Sequence, residues 1–120
     1  GIETILLIHP DVLQNFADYN QFLDAADGLL AALQLEGIVQ VASFHPDYQF
    51  ADTRPDDAEN FTNRSPYPLL HLLREDSLER AIAETLDVAQ IPVRNVAVMN
   101  ELGRDAVRTL LDNCFEHPAV

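Results

Sequence analysis

The stretch IVQVASFHPD, from Ile38 to Asp47, decides the fold of this 120-residue chain. Its first seven residues are largely apolar and Pro46 stops the run, as expected for a strand that is covered on both faces and ends in a turn. The earlier run Ile2–His9 has the same form and is stopped by Pro10. We therefore predict two strands, Ile2–His9 and Ile38–His45, each covered on both faces.

A helix is predicted between these strands, from Asp18 to Leu35. Its apolar residues recur at helical spacing, and Asp18 with Gln21 has the form of a capping box. Gly37 stands where a left-handed C-terminal cap belongs. Strand, helix and strand make a βαβ unit, which implies parallel strands joined by a right-handed crossover.

The chain continues with a long polar segment, Pro46–Pro66, that is rich in turn-forming residues. A loop of about 20 residues in a compact domain is commonly functional or disordered, and its aromatic residues favour a packed loop. Pro68–Arg74 fits a strand or a helix. We favour a strand, because Ser77–Leu86 has its own helix start.

A further helical stretch opens at Pro92 and is broken or kinked at Gly103, and residues 117–120 are predicted to fray. The fold class is α/β, in detail an α+β two-layer sandwich. It has a βαβ unit, a further strand and C-terminal helices, with a small mixed sheet covered mainly on one face, ferredoxin-like in style. We expect residues 1–120 to form a single domain.

The charge balance excludes several functions. The net charge is −13, and all seven basic residues are Arg. A chain this acidic is a poor match for nucleic acid or for an anionic membrane surface. Without any Lys it has no Walker P-loop, no Schiff-base catalysis and no pyridoxal phosphate attachment. Because the first basic residue is Arg54, an anion site needs later residues or backbone N–H groups.

Cys114 is the only cysteine, so the chain can form no internal disulfide and no Cys-rich zinc site. No apolar run approaches the roughly 18 residues of a membrane span, and the first residues do not resemble a signal peptide. We expect a soluble, cytoplasmic protein.

Both predicted strands end in the same tripeptide, His9-Pro10-Asp11 and His45-Pro46-Asp47. Ligands of open parallel sheets bind outside the carboxyl ends of the strands, so the two corners would converge on one edge. His9 and His45 could then hold a divalent metal ion with a carboxylate. Alternatively, Pro and Asp merely end the strands and start turns.

The densest chemistry lies between Ser43 and Arg74. His45 with Asp47 or Tyr48 could transfer protons, and Arg64 could clamp an anion. The predicted catalytic residues are His45, Asp47 and Tyr48, and the predicted substrate-binding residues are Asn63, Arg64, Ser65, Tyr67 and His71.

The motifs Ala42–Phe50, Thr62–Pro68 and Leu70–Glu75 resemble a bacterial family, domain of unknown function 1415. The resemblance covers essentially the whole chain and implies a bacterial protein, but it brings no activity. It also implies a preceding segment of some tens of residues with a Cys-Pro motif, which would make this chain the C-terminal part of a longer protein. Such a segment could complete a sheet edge and a site.

Three hypotheses remain open from the sequence. The first is an enzyme that acts on a small polar or anionic molecule. The second is a non-catalytic module that binds a ligand or a protein through an apolar patch around Tyr48, Phe50 and Tyr67. The third is a purely structural loop whose polar residues are satisfied by the backbone. Apart from the possible divalent metal ion, the sequence indicates no particular cofactor. It does not indicate an oligomeric state.

Overall fold

The computed structural model describes residues 1–115, which form an α+β fold of three strands and four α-helices. The fold class is as predicted, and the tail predicted at residues 117–120 lies outside the described residues. The strands are β1 (Thr4–Ile8), β2 (Val39–Phe44) and β3 (Leu69–Arg74), and the helices are α1 (Phe16–Ala32), α2 (Glu75–Glu84), α3 (Gln90–Leu102) and α4 (Arg104–Asp112). Short 3-10 helices lie at Ala58–Asn63 and Asn113–Phe115.

The strand order of the sheet is β1-β3-β2, with β3 antiparallel to both neighbours. β1 and β2 therefore run parallel to each other with one strand between them, which agrees with the predicted βαβ unit. The expected mixed sheet was wrong, because both hydrogen-bonded pairs are antiparallel. The register aligns Leu6, His71 and Ala42 across the three strands.

Helix α1 begins earlier than the predicted capping box. Its N-cap is Asn15, whose side chain accepts a hydrogen bond from the backbone N–H of Asp18 at 3.0 Å. An Asn in this position satisfies one of the unpaired amides of the first turn, so the helix includes Phe16. The predicted cap at Gly37 was wrong as well, since the helix ends at Ala32 and the chain turns first through Gln34 at φ 57°.

The C-terminal half follows the prediction more closely. The strand favoured within Pro68–Arg74 is confirmed as β3, and the helix predicted at Ser77–Leu86 begins two residues earlier, at Glu75, where acidic residues suit a helix N-terminus. Gly103, at φ 84°, separates α3 from α4. No helix among residues 1–115 is both long and apolar enough to cross a membrane.

The prediction that β1 is covered on both faces was wrong. All five of its residues are exposed, because α1 packs against β2 and β1 lies at the opposite edge of the sheet. The most buried side chains lie instead around the loop between β2 and β3: Tyr19, His45 and Pro68 near its two ends, and Asn60 in its interior.

Tyr19 ties α1 to this end of the sheet. Its hydroxyl donates to the carbonyl oxygen of Leu69 at 2.6 Å and accepts from the N–H of Phe44 at 3.0 Å. Phe44 and Leu69 face each other in the β2–β3 register, so the hydroxyl bridges the last pair of the ladder. Burial raises the pKa of the Tyr19 phenol above its ordinary value, while the hydrogen bond from Phe44 acts in the opposite direction.

We predict that Tyr19→Phe lowers the free energy of unfolding by about 1–3 kcal/mol, because a buried donor and a buried acceptor lose their partner. In the wild type, the stability gained from a neutral phenol is present below the ordinary pKa of about 10 and is lost as the pH rises through the raised pKa. The difference between the proteins should therefore shrink in strong alkali.

Urea titrations at neutral and alkaline pH measure this difference. Tyr67→Phe is the matched control, because Tyr67 is 41% exposed. Equal effects of the two substitutions, or a difference independent of pH, would contradict the role given to Tyr19.

Candidate functional site

His45, at the second His-Pro-Asp corner, is fully buried and bonded to main chain on both ring nitrogens. Nε2 lies 2.8 Å from the carbonyl oxygen of Leu13, and Nδ1 accepts from the N–H of Asp47 at 2.9 Å. Since Nδ1 accepts, the hydrogen bonds assign the ring proton to Nε2. Neither nitrogen is free to meet a ligand in this arrangement.

Aromatic rings surround His45 and hold the start of the loop against α1. The ring centroids of Phe16 and Tyr19 lie 5.3 and 5.0 Å from that of His45. Tyr48 packs edge-on against Phe16 at 5.4 Å and against Phe50 at 5.0 Å. Tyr48 and Phe50 are thus partly covered by each other.

The three predicted catalytic residues do not face a common space. His45 is buried, Asp47 is exposed, and Tyr48 is half-buried among aromatic rings. Asp47 contributes its backbone N–H to the corner. Proton transfer by these residues stays a prediction, and the contacts observed for His45 are those of a structural residue.

Asn60 organises the interior of the loop and is fully buried. Its Oδ1 accepts from the N–H of Phe50 at 2.9 Å and from the hydroxyl of Thr53 at 3.0 Å. Its Nδ2 donates to the carbonyl oxygen of Arg54 at 2.7 Å. The side-chain amide of Asn60 thus provides hydrogen-bond partners for the backbone N–H of Phe50 and the carbonyl of Arg54, at the two ends of a turn.

The predicted substrate-binding residues at the loop's end also donate to main chain. Asn63 Nδ2 donates to Ser43 at 3.1 Å, and Ser65 Oγ donates to Tyr67 at 2.7 Å. Arg64 donates through Nε to the carbonyl oxygen of Tyr48 at 3.0 Å, and through an Nη to that of Pro55 at 2.9 Å. These side chains fasten the loop to itself and to β2.

Two guanidinium groups, those of Arg64 and Arg108, lie close to the ring of Phe61. The Arg64 guanidinium carbon lies 4.4 Å from the ring centroid and that of Arg108 lies 4.9 Å away, within the range of cation–π attraction. Burial, and next the charge of Arg108, lower the pKa of Arg64, which the carboxylates of Asp47 and Asp56 partly offset. Arg64 and Phe61 also line a cavity of about 250 Å³ that is otherwise apolar, against α3 and α4.

The remaining predicted residues lie apart from one another. Tyr67 is exposed and packs edge-on against Phe115 at 5.5 Å. His71 lies inside β3, hydrogen-bonded to the hydroxyl of Thr4 and 6.2 Å from the ring of Phe44. The structure therefore brings neither of them to the loop's interior.

The first corner gives no support for a metal ion. His9 packs edge-on against Phe22 at 6.2 Å, and its Nε2 is buried without a hydrogen-bond partner in the described part of the chain. Residues 1–115 contain no group of three or more His, Cys, Asp or Glu that could hold a metal. A metal site at His9 and His45 stays a prediction.

A cavity with both polar and apolar walls lies between the loop and α3, and we call it the loop–α3 cavity. Its volume is about 470 Å³. Its walls combine four apolar side chains, Phe50, Ala51, Pro92 and Val96, with polar ones. The full lining is Phe50, Ala51, Thr53, Glu59, Thr62, Asn63, Pro92, Asn95 and Val96.

Sequence reasoning identified one residue of this lining, Asn63, as a binding residue. It missed Asn95, because α3 meets the loop only through the tertiary fold, and it missed Glu59 and Thr62 although both belong to the loop segment Pro46–Pro66. The one available signal was the packed character of Pro46–Pro66, which the aromatic residues indicated.

A family model described as "Protein of unknown function (DUF1415)" matches residues 1–109. This match confirms the resemblance predicted from the motifs on either side of the loop. No curated protein and no solved structure matches the chain.

We predict that Asn60→Ala lowers the free energy of unfolding by about 1–3 kcal/mol, because the part-buried N–H of Phe50 and carbonyl of Arg54 lose the side chain that bonds to them. The loop should also become a site of limited proteolysis between residues 48 and 63. Asn100→Ala on the exposed side of α3 is the control. Equal stability of the two variants, with no new cleavage in the loop, would contradict the role of Asn60.

Proposed function

This chain belongs to the DUF1415 family, and we propose that it is a non-catalytic binding module for a small polar molecule that carries an ammonium group. The ligand would occupy the loop–α3 cavity. The observation that carries the proposal is a set of polar side chains in the cavity wall, Glu59, Thr62 and Asn95, that have no side-chain hydrogen bond within residues 1–115.

The size and walls of the cavity support a small-molecule ligand. Ligand sites usually measure about 300–1,000 Å³ and combine apolar walls with a few polar groups. The cavity, at about 470 Å³, falls in this range. Phe50, Pro92 and Val96 would cover the apolar part of a ligand, and the polar side chains would fix its orientation.

The charge of the wall supports a cation. Glu59 is the only charged residue of the lining, and it is half-buried. No Arg or His of the described chain lies within ion-pair distance of its carboxylate. An ammonium group would give Glu59 a charge-assisted hydrogen bond, whereas an anion would be repelled. The sequence led us to expect a polar or anionic ligand. For this cavity, the charge of Glu59 favours a polar ligand with a positive charge over an anion.

The loop supports the proposal because its shape is fixed without the ligand. Asn60 holds the turn next to Glu59, and Arg64 ties the turn to Tyr48. A wall that is already ordered loses little conformational entropy when a ligand binds. The hydrogen bonds of Asn60 and Arg64 thus hold the loop side of the cavity wall in a fixed shape.

The enzymatic hypothesis has less support. His45, Asp47 and Tyr48 do not line the loop–α3 cavity, and His45 is bonded to main chain on both nitrogens. The structural hypothesis accounts for these bonds, and the binding module in addition gives the wall residues Glu59, Thr62 and Asn95 a role.

The test uses three probes of equal length: 4-amino-1-butanol, 1,4-butanediol and 4-hydroxybutyrate. We expect only the ammonium compound to shift the backbone amide resonances of Thr62 and Asn95 in ¹⁵N-edited NMR spectra, with a Kd in roughly the millimolar range for so small a probe. Glu59→Gln keeps the shape and removes the charge, and it should weaken binding at least about tenfold, since a bond to a charged group contributes about 1.5–3 kcal/mol.

Glu84→Gln, at the exposed end of α2, is the matched control and should bind like the wild type. Equal shifts with 4-hydroxybutyrate, or an unchanged Kd in Glu59→Gln, would rule out the proposed ligand class.

A further inference from the structure

Three of the seven arginines of this acidic chain lie together, where the end of the loop meets α4. The guanidinium carbons of Arg64 and Arg108 lie 4.4 and 4.9 Å from the ring centroid of Phe61, so one ring brings both positive charges together. Arg104, one helical turn before Arg108, is close enough to act on the charge of Arg64 as well. The chain has 20 acidic residues and a net charge of −13, so this cluster runs against its overall charge.

The acidic residues of the described chain do not neutralise the two guanidinium groups at Phe61. Neither Arg64 nor Arg108 lies within ion-pair distance of a carboxylate in residues 1–115, whereas Arg104 has Asp56 at 4.0 Å. Both side chains are half-buried. Burial, and next the charge of Arg108, lower the pKa of Arg64. A bound anion would offset this repulsion between like charges.

Both guanidinium groups also retain N–H groups that no protein atom in the described part of the chain accepts. Arg64 donates through Nε to Tyr48 and through Nη2 to Pro55, which leaves the N–H groups of Nη1 available. Arg108 lies over the Phe61 ring and makes no hydrogen bond within residues 1–115. A guanidinium group has five N–H donors and no acceptor, so the groups that remain suit an anionic oxygen.

A mainly apolar cavity lies beside Arg64 and Phe61, and we call it the Phe61 cavity. Its volume is about 250 Å³, just below the roughly 300–1,000 Å³ of most ligand sites, so it suits a small ligand. Arg64 is the only charged residue of its lining. The apolar walls include Met99 and Leu102 from α3, and Leu110 and Leu111 from α4.

We propose that the Phe61 cavity binds a small monocarboxylate with a short apolar chain. The carboxylate accepts hydrogen bonds from Arg64 Nη1 and from Arg108, since its two oxygens match the N–H groups of guanidinium. The apolar chain lies against the Met and Leu side chains. This site is separate from the loop–α3 cavity, because the two linings have no residue in common.

The walls favour a monocarboxylate over a phosphate. Two nitrogens of Arg64 already donate to the backbone, and the rest of the lining offers no charged group. A phosphate has more oxygens to satisfy and a higher cost of desolvation beside apolar walls. A single carboxylate needs fewer donors and leaves the apolar walls to its chain.

The test uses four probes: hexanoate, acetate, 1-hexanol and hexylamine. The readout is the backbone amide resonances of Leu102 and Leu111 in ¹⁵N-edited NMR spectra, because both residues line only the Phe61 cavity. We expect hexanoate to bind with a Kd in roughly the millimolar range. Acetate should bind at least about tenfold more weakly, since each buried methylene strengthens binding on the order of fourfold. 1-Hexanol and hexylamine lack the anionic group and should also bind at least about tenfold more weakly.

Two variants locate the ligand. Arg108→Gln should weaken hexanoate binding at least about fivefold, an effect limited by the partial exposure of the site. Arg94→Gln, at an exposed position of α3, makes the same change in net charge and should bind like the wild type. Leu110→Glu places a carboxylate in the cavity wall and should abolish binding. Because Leu110 is 60% exposed, this variant should fold, which urea titrations of all variants verify.

Equal affinities for hexanoate and 1-hexanol, or equal affinities of the wild type and Arg108→Gln for hexanoate, would overturn the proposal. Acetate binding as tightly as hexanoate would indicate an adventitious ion only and would overturn it as well. A wild type that does not bind hexanoate has the same consequence. If Glu116→Gln, outside the described residues, then binds hexanoate, the arginines serve a carboxylate of the chain itself.

Discussion

The hydroxyl of Tyr19 is the interaction on which the loop and its cavity depend. It stands between the N–H of Phe44, the last residue of β2, and the carbonyl of Leu69, the first residue of β3. The 24-residue loop between β2 and β3, residues 45–68, begins and ends next to this pair. Because α1 supplies the hydroxyl, the position of the helix and the closure of the loop are one constraint. The ring centroid of His45 lies 5.0 Å from that of Tyr19. The N–H of His45 donates to the carbonyl oxygen of Asn63, and its own carbonyl oxygen accepts from the N–H of Tyr48, so His45 also joins the two ends of the loop.

The polar residues that resembled a catalytic cluster serve mainly to satisfy the backbone. A long loop has no ladder to pair its N–H and C=O groups, and buried backbone groups must find other partners. His45, Asn60 and Arg64 supply them, each with two or more bonds to main chain. A dense set of His, Asn and Arg residues in a long loop therefore indicates packing as readily as chemistry. The residues without partners, such as Glu59, are the better guide to a ligand.

The sequence predicted the elements better than their contacts. Apolar runs and proline stops placed β1 and β2, and helical spacing placed α1, because these signals are local. The strand β3 was favoured over a helix only because a new helix start follows it. The start of α1 was misplaced because Asn15 competes with Asp18 for the cap, and sequence alone does not rank them. The insertion of β3 between β1 and β2, and the meeting of α3 with the loop, depend on packing between residues distant in the chain. The cavity wall, with Asn95 opposite Glu59, could not be inferred for that reason.

β1 shows how a wrong prediction can carry information. Its apolar run is suited to a strand with both faces covered, yet the described chain leaves it open. Its outward N–H and C=O groups have no strand partner within residues 1–115, which makes β1 an edge of the kind that another strand can pair with. None of the residues that line the loop–α3 cavity belongs to β1. The edge and the cavity are thus formed by different elements of the fold.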